Sequence, residues 1–400
     1  MSNKNRLVMD VDYYDLAYHG YGREELKGVL DRCAKAGVQT IVMSVIFGGY
    51  AQYHSKILPL YDGKDRRIGS KQAAAIYKTF DPLAAVVELG KERGIDVLAY
   101  YRMYDHYWPG LCDKNIDNME HGWWESRCGR FQFKGWPCYA EPQVMEYSLN
   151  LVSEIASYGV GFMFGLTRSH SLYCSPYRQP HFFGFNQPIA DEYARRYGVD
   201  IRAFDYCEDH MSHEGYLGNT PWPFLNEVEY VGASEFDLVK WHWLKGEEAA
   251  TFLRNVRKIL GDETHIAIEA SPYACPPVAD PADTIPAKLY VDPGALAKDG
   301  TINEWMVQGN FRNTDFQSQI LPAFQGVREA GAEINLWLND VLASDGGSGG
   351  AASIPQIEQY LQTATASDFS SFTFHEADFI EQHPEAKQVW RILGERFGKS

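Results

Sequence analysis

The sequence predicts a TIM (β/α)8 barrel that forms a single catalytic domain over residues 1–400. Three observations lead to this prediction: eight short apolar runs, amphipathic helical stretches between them, and glycines that end a helical stretch just before the next run. Apolar runs that alternate with amphipathic helices are typical of a parallel sheet built from βα units. Eight such units close into a barrel.

The eight predicted strands are short runs dominated by apolar residues. In chain order they are Arg6–Asp12, Val38–Ile46, Ile95–Met103, Val160–Arg168, His265–Ser271, Glu304–Phe311, Glu333–Asp340 and Ser370–Ala377. A chain of 400 residues with 45% hydrophobic content is long enough to bury the core of one large α/β domain.

Helical periodicity fills the intervals between these runs. After the first strand, four apolar residues fall at i, i+3, i+4 and i+7: Leu26, Val29, Leu30 and Cys33. This spacing predicts an amphipathic helix, and Gly37 follows as its stop. Gly159 has the same place before the fourth strand. Ser234 and Asp237 predict a capping box that begins a long helix before the fifth strand.

Two connections are too long for a bare barrel: Tyr104–Pro142 after the third strand and Ser169–Ala233 after the fourth. Both follow the carboxyl end of a strand, where long loops form the substrate mouth of a barrel enzyme. They are rich in aromatic residues, among them Trp108, Trp123, Trp124, Trp136 and Trp222. These rings are expected either to line the mouth or to form a small core within the insertions.

The composition excludes nucleic acid and membranes as partners. Acidic residues outnumber basic ones by 53 to 37, so the formal net charge is −16, and no basic run offsets it. No apolar run is long enough to cross a bilayer, and the first residues contain no apolar signal core. We therefore expect a cytoplasmic protein, or a periplasmic or secreted one if a signal peptide has been removed.

No metal or cofactor motif stands out. The seven cysteines form no C-x-x-C pair, and the histidines form no H-x-H or H-E-x-x-H motif. We therefore predict neither a metal nor a cofactor, although the many Asp, Glu and His residues leave a metal site open as an alternative.

A pair of carboxyl groups provides the candidate chemistry. Glu269 lies in the otherwise apolar run HIAIEAS, where desolvation favours the protonated form that a general acid needs. Asp340 closes the seventh strand and is the candidate for the second, ionised carboxylate. Two such groups can cleave a glycosidic bond. Each has a structural alternative: Glu269 pairs with Arg168, or Asp340 caps the following turn.

Further polar and aromatic residues lie at or near the carboxyl ends of the predicted strands, where barrel enzymes bind their substrates. Carboxylates and amides hydrogen-bond sugar hydroxyls, and aromatic faces cover the apolar side of a sugar ring. We therefore predict a carbohydrate as the partner. The residues predicted to bind it are Asp10, Asp12, Asp105, Arg168, His170, Trp305, Gln308, Asn310 and Glu376.

The chain resembles a group of bacterial glycosyl hydrolases with TIM barrels that are classed as hypothetical glycosidases. The likeness rests on Tyr158–Phe162, which leads to Arg168, and on the segments Phe183–Pro188 and Tyr193–Asp200. It extends over most of the barrel. The resemblance implies a barrel fold and the hydrolysis of glycosidic bonds.

The fourth strand departs from the pattern of related barrels. Those barrels have an Asp three residues before the Arg, in a G-x-x-x-D-x-x-R arrangement, whereas this chain has Gly165. The amylase-like layout implied by the likeness retains only Glu269 on strand five and Asp340 on strand seven. Carboxylates two strands apart suit the separation of about 6.5–9.5 Å typical of an inverting enzyme. The alternatives are a carbohydrate-binding barrel without catalysis and a metal-dependent sugar isomerase or lyase.

Overall fold

The structure is a computed structural model. It describes residues 6–64, 68–104, 106, 122–125, 132–166, 184–202, 237–270, 289–308, 325–338, 341–342, 351–365, 369 and 371–398.

Eight parallel strands form a closed barrel. They are β1 Arg6–Asp10, β2 Val38–Ser44, β5 Asp96–Arg102, β8 Gly161–Gly165, β9 Ile266–Ala270, β10 Glu304–Gln308, β11 Glu333–Leu338 and β12 Ser371–Phe374. Neighbours around the ring follow chain order, and β12 closes the barrel on β1. The predicted TIM barrel and all eight predicted strands are thereby confirmed.

Helices surround this barrel, and four short strands lie outside it. The described helices are α1 Tyr13–Tyr18, α2 Arg23–Lys35, α3 Ser70–Tyr77, α4 Pro82–Arg93, α5 Pro142–Ala156, α6 Gln187–Tyr197, α7 Leu238–Leu260, α8 Pro293–Lys298, α9 Ile354–Thr365, α10 Ala377–Gln382 and α11 Ala386–Phe397. The outer strands pair in twos: β3 Ile46–Phe47 with β4 Tyr50–Ala51, and β6 Trp123–Glu125 with β7 Gln132–Pro137.

Local sequence signals explain where these helices lie. The predicted apolar face of α2 is fully buried, and the chain leaves the helix through Gly37 at a φ of 82°. Asp237 caps α7: its Oδ1 accepts hydrogen bonds from the backbone N–H groups of Val239 (3.0 Å) and Lys240 (3.1 Å). Asp237 is therefore itself the N-cap, whereas Ser234 lies outside the described residues.

The barrel has two separate apolar layers. Alternate residues of each strand point inward, and these form a small interior cluster: Val8, Val42, Leu98, Tyr100, Met163, Ala267, Met306 and Trp337. The remaining strand residues pack outward against the helices in a much larger cluster. This alternation decides which polar side chains at the strand ends point into the barrel.

The amino-terminal rim is held by a buried ionic network. Glu304 is fully buried, accepts a hydrogen bond from Arg6 and lies 2.9 Å from Nε2 of His265. Burial raises the pKa of Glu304, but the hydrogen bond to His265 and the charge of Arg6 outweigh it and hold the pKa at about 2. Polar groups at this end of a barrel serve stability.

Aromatic rings of the described part of the insertion after β5 pack within the outer cluster. Trp123, Trp124 and Trp136 are buried, and the Trp124 and Trp136 rings lie 4.9 Å apart. Tyr104 stacks on Trp136 at 5.0 Å. These three tryptophans therefore pack against other parts of the protein, whereas Trp108 and Trp222 lie outside the described residues.

Among the described helices, none is long and apolar enough to cross a bilayer.

Candidate functional site

Glu269 points into the barrel near the carboxyl end of β9. It is two residues after Ala267, which belongs to the interior cluster, so both side chains lie on the inner face of the strand. Its register neighbours are Gly165 on β8 and Met306 on β10. Glu269 is fully buried. The structure therefore places one carboxyl group inside the barrel, at the end where barrel enzymes carry their active sites.

A second polar group joins the first and last strands of the barrel. Asp10 ends β1, and its Oδ2 lies 2.7 Å from Nδ1 of His375, the residue that follows β12. A carboxylate only accepts hydrogen bonds, so Nδ1 of the imidazole donates the proton. The carboxylate of Glu376 lies 3.8 Å from the same nitrogen. All three residues are buried.

Arg102 brings a positive charge to the same rim. It ends β5, and its Nη2 donates to Oδ2 of Asp12 at 2.8 Å. Both side chains are almost completely buried, with 1% and 3% of their surface exposed. The guanidinium lies over the Tyr100 ring, 5.0 Å from its centroid. Removal of either partner of a buried ion pair strongly destabilises a protein, because a buried charge is left without its partner. This contact therefore holds β5 against the segment that follows β1.

Carboxylates crowd this part of the rim. Burial raises the pKa of Asp15 well above its usual range, and the charges of Asp12 and Asp378 raise it further. Burial also raises the pKa of Asp378, although His19, whose Nδ1 lies 3.0 Å from its carboxylate, acts in the opposite direction. Burial is the largest cause of both shifts, and the neighbouring carboxylates add to it.

Two sets of side chains have the spacing that a metal ion requires. In the described part of the chain, the ligand atoms of Asp10, His375 and Glu376 lie within 4.8 Å of one another, and so do those of Asp12, Asp15 and Glu376. Carboxylate and imidazole groups are common ligands of divalent cations. No local motif reveals these sets, because the ligands come from the two ends of the chain.

Tyr100 fills the place of the missing acid on β8. A Cβ atom built on Gly165 would lie 2.8 Å from Cε2 and 2.9 Å from Oη of Tyr100. Both distances are shorter than real Cβ contacts, and Tyr100 is fully buried within the interior cluster. An Asp at position 165 therefore fits only if Tyr100 moves, so the departure from the amylase-like pattern has a steric reason.

The structure brings together three of the predicted site residues, Asp10, Asp12 and Glu376. Glu269 is buried at the same end of the barrel. Trp305 is different: it packs in the outer cluster, and its Nε1 donates to the carbonyl of Ala270 at 3.1 Å. The expectation that Trp305 contacts substrate is not supported, because its side chain lies on the helix-facing side of β10.

Of the remaining predicted residues, Gln308 is the last residue of β10. Five lie outside the described residues: Asp105, Arg168, His170, Asn310 and Asp340.

Sequence reasoning missed Arg102 and gave His375 no role. Arg102 is two residues after Tyr100 on β5, and Asp10 is two residues after Val8 on β1. The alternation of side chains between the two faces of a strand was therefore visible in the sequence, but the sequence did not show which of the two faces points into the barrel. His375 follows the strand by one residue, where this alternation no longer decides the direction of a side chain.

No protein-family model matches the chain, and no curated protein matches its sequence. Solved structures do match. The glycoside hydrolase domain of PgaB (BpsB) from Bordetella bronchiseptica superposes with a TM-score of 0.55 and 12% identity, over 98% of this chain and 99% of that one.

Two further structures are similar. The catalytic domain of the Paenibacillus polymyxa β-amylase matches with a TM-score of 0.56 and 13% identity over 100% of both chains. An inactive mutant of the GH20 exo-β-N-acetylglucosaminidase from Vibrio harveyi matches with a TM-score of 0.51 and 10% identity, over 99% of this chain and 54% of that one. The chain shares their fold. Its structural neighbours are thus TIM-barrel glycoside hydrolases at low sequence identity, and no sequence match connects it to one particular family.

Proposed function

We propose that the protein is a glycoside hydrolase that cleaves a glycosidic bond with two carboxyl groups. The observation that carries this proposal is the position of Glu269, which is buried, points into the barrel and lies near the carboxyl end of its strand. The barrel fold shared with glycoside hydrolases supports it. The likeness to bacterial hypothetical glycosidases points in the same direction.

In the proposed mechanism Glu269 is the general acid and Asp340 the general base. Protonated Glu269 gives its proton to the glycosidic oxygen as the bond from that oxygen to the anomeric carbon breaks. Asp340 takes a proton from a water molecule, whose oxygen then bonds to the anomeric carbon. The products are a free sugar and an alcohol, and the sugar has the inverted anomeric configuration. Asp340 follows β11, two strands from β9, which favours the wider separation of an inverting pair.

The rest of the rim is proposed to bind the sugar. Asp10, Asp12 and Glu376 offer carboxylate oxygens to hydroxyl groups, and Arg102 offers N–H donors beside them. The residues predicted from the sequence that lie in the neighbouring segments complete the set: Asp105, Arg168, His170, Gln308 and Asn310. Trp305 is not part of it, because it faces the helices.

The test compares two variants on two kinds of substrate. Wild-type protein is first screened on a panel of oligosaccharides and p-nitrophenyl glycosides. Glu269→Gln should lower kcat by a factor of about 10²–10⁴ on an oligosaccharide, but much less on the p-nitrophenyl glycoside, whose leaving group needs little protonation. Asp340→Asn should lower kcat on both substrates, because activation of water does not depend on the leaving group.

Glu263→Gln is the matched control. Glu263 is an exposed carboxylate in the turn before β9, at the opposite end of the barrel, so its variant should keep wild-type activity. NMR of the first product shows whether the configuration is inverted. Equal activity of Glu269→Gln and wild type on the oligosaccharide would remove Glu269 from the mechanism. A wild-type protein that binds glycans without turnover would instead be a carbohydrate-binding barrel.

A metal-dependent sugar isomerase or lyase is the second candidate. It is favoured by the spacing of Asp10, His375 and Glu376, which suits a divalent cation. Elemental analysis of the purified protein and assays with and without a chelator separate the two candidates. Loss of activity in EDTA and its recovery with Mg²⁺, Mn²⁺ or Zn²⁺ would favour this second function, whereas full activity in EDTA supports the two-carboxyl mechanism.

A further inference from the structure

Phe379 is an exposed aromatic residue in helix α10. Of the large hydrophobic residues in the described part of the chain, Ile68, Ile259 and Phe379 are exposed, and Phe379 is the one aromatic member. Its exposed fraction is 49%. Single exposed apolar residues are common on protein surfaces, so its location has to decide whether the exposure matters.

The location of Phe379 is the rim that carries the candidate site. Helix α10 begins at Ala377, two residues after His375, so Phe379 lies at the carboxyl end of the last barrel strand. Its ring centroid is 5.8 Å from that of His375, and the two planes are inclined by 73°. Because the rings meet edge to face, the exposed ring of Phe379 borders directly on the buried polar groups of the rim.

His375 is held in one orientation. Its Nδ1 is bonded to Asp10 at 2.7 Å, and its ring lies 5.6 Å from that of Trp337 in the barrel interior. The imidazole therefore stays in place beside the Phe379 ring. An exposed aromatic face next to buried polar groups offers the apolar surface against which a sugar ring packs.

We propose that Phe379 forms a sugar-binding subsite that selects uncharged sugars. Its ring, which packs edge to face on His375, covers the apolar face of one pyranose ring. The carboxylates of Asp10, Glu376 and Asp378 lie at the same rim and repel an anionic sugar. This inference rests on the proposed function, because it describes how the same site recognises its substrate.

The experiment measures binding in the Glu269→Gln background, so that no turnover interferes. Isothermal titration uses the best neutral oligosaccharide from the activity screen and the corresponding oligosaccharide with uronic acid residues. Phe379→Ala should weaken binding of the neutral sugar about tenfold, whereas Phe379→Tyr should preserve it because the aromatic face remains. The uronic acid sugar should bind at least about tenfold more weakly than the neutral one, which corresponds to about 1.4 kcal/mol.

Ile259→Ala is the control for loss of an exposed apolar side chain. Ile259 is 47% exposed, near the carboxyl end of α7 and beside Arg6 and His265 at the opposite rim, so its variant should bind the sugar like the parent protein. Circular dichroism verifies that each variant is folded.

The outcomes separate this inference from the proposed function. Equal affinity of the Phe379→Ala and parent proteins would overturn the subsite while leaving the hydrolase intact. Equal affinity for the neutral and uronic acid sugars would overturn the selectivity. Absence of both sugar binding and turnover in the wild-type protein would overturn the subsite and the hydrolase together.

Discussion

Replacement of Gly165 by alanine should destabilise the protein because of a single neighbour, Tyr100. The added Cβ would lie 2.8 Å from Cε2 of the buried ring, where real contacts are longer than 3.0 Å. Tyr100 is fully buried in the interior cluster, where its ring lies 6.0 Å from that of Trp337, so it has little room to move away. Overpacking of this kind costs about 1–3 kcal/mol. For a chain of 400 residues this corresponds to a fall in Tm of about 1–4 °C.

A double-mutant cycle measures how much of this cost comes from Tyr100. Urea unfolding is followed for the wild type, Gly165→Ala, Tyr100→Ala and the double variant. Because the second substitution removes the atoms that the new methyl group meets, Gly165→Ala should cost at least about 1 kcal/mol less in the Tyr100→Ala background. The matched control is Gly28→Ala in α2, where the new Cβ meets only an Arg32 side chain at 3.4 Å. That variant should be neutral or more stable by up to about 1 kcal/mol.

Additive costs in this cycle would refute the steric explanation. If Gly165→Ala is equally destabilising with and without the Tyr100 ring, some other feature of β8 requires glycine. A coupling free energy of at least about 1 kcal/mol would instead show that the Tyr100 ring and any side chain at position 165 compete for the same space. The barrel would then need a catalytic pair that avoids β8, as the proposed pair on β9 and after β11 does.

Two further predictions concern the ionic groups at the two rims. Arg102→Met should destabilise the protein by about 3–5 kcal/mol in urea unfolding, because the Asp12 carboxylate stays buried without its partner. The double variant with Asp12→Asn should recover part of this lost stability. A double variant as unstable as Arg102→Met would contradict the pairing. The Glu304 carboxyl has its pKa lowered to about 2 from 4.5, so the stability it contributes is complete above pH 4.5 and is lost as the pH falls towards 2. The difference between the free energies of unfolding of wild type and Glu304→Gln should therefore decrease by about 3 kcal/mol as the pH falls over that interval. A constant difference would show that Glu304 does not titrate there.

The barrel could be predicted from the sequence because its signals are local. Each βα unit carries its own apolar run, helical periodicity and stop, as at Leu26–Cys33 and Gly37, so the number and order of strands follow without knowledge of any distant contact. The strand ends were predicted a few residues too far, as at Asp12, where β1 already ends at Asp10. Strand pairing stops where the chain turns away over the rim, and polar residues there continue the pattern of the strand without belonging to it.

The candidate site could be predicted only in part, because it depends on long-range contacts and on strand parity. Asp10 and His375 are 365 positions apart in the chain, and no spacing rule connects them. Trp305 illustrates the problem of parity: β10 is apolar on both faces, so a shift of one residue exchanges the inner and outer sets. The direction of Glu269 follows from the same alternation only once one inward residue of β9, such as Ala267, is known.

Closure of the barrel by β1 and β12 has a consequence for biosynthesis. Asp10 leaves the ribosome long before His375, so the candidate site cannot form on a nascent chain that still lacks β12. The main chain at Gly37 also lies against Phe397 in the final helix. A polypeptide that terminates before Ser371 would thus lose both the ring of strands and the polar groups of its rim. The rim can therefore bind a substrate only after β12 has been synthesised and has paired with β1.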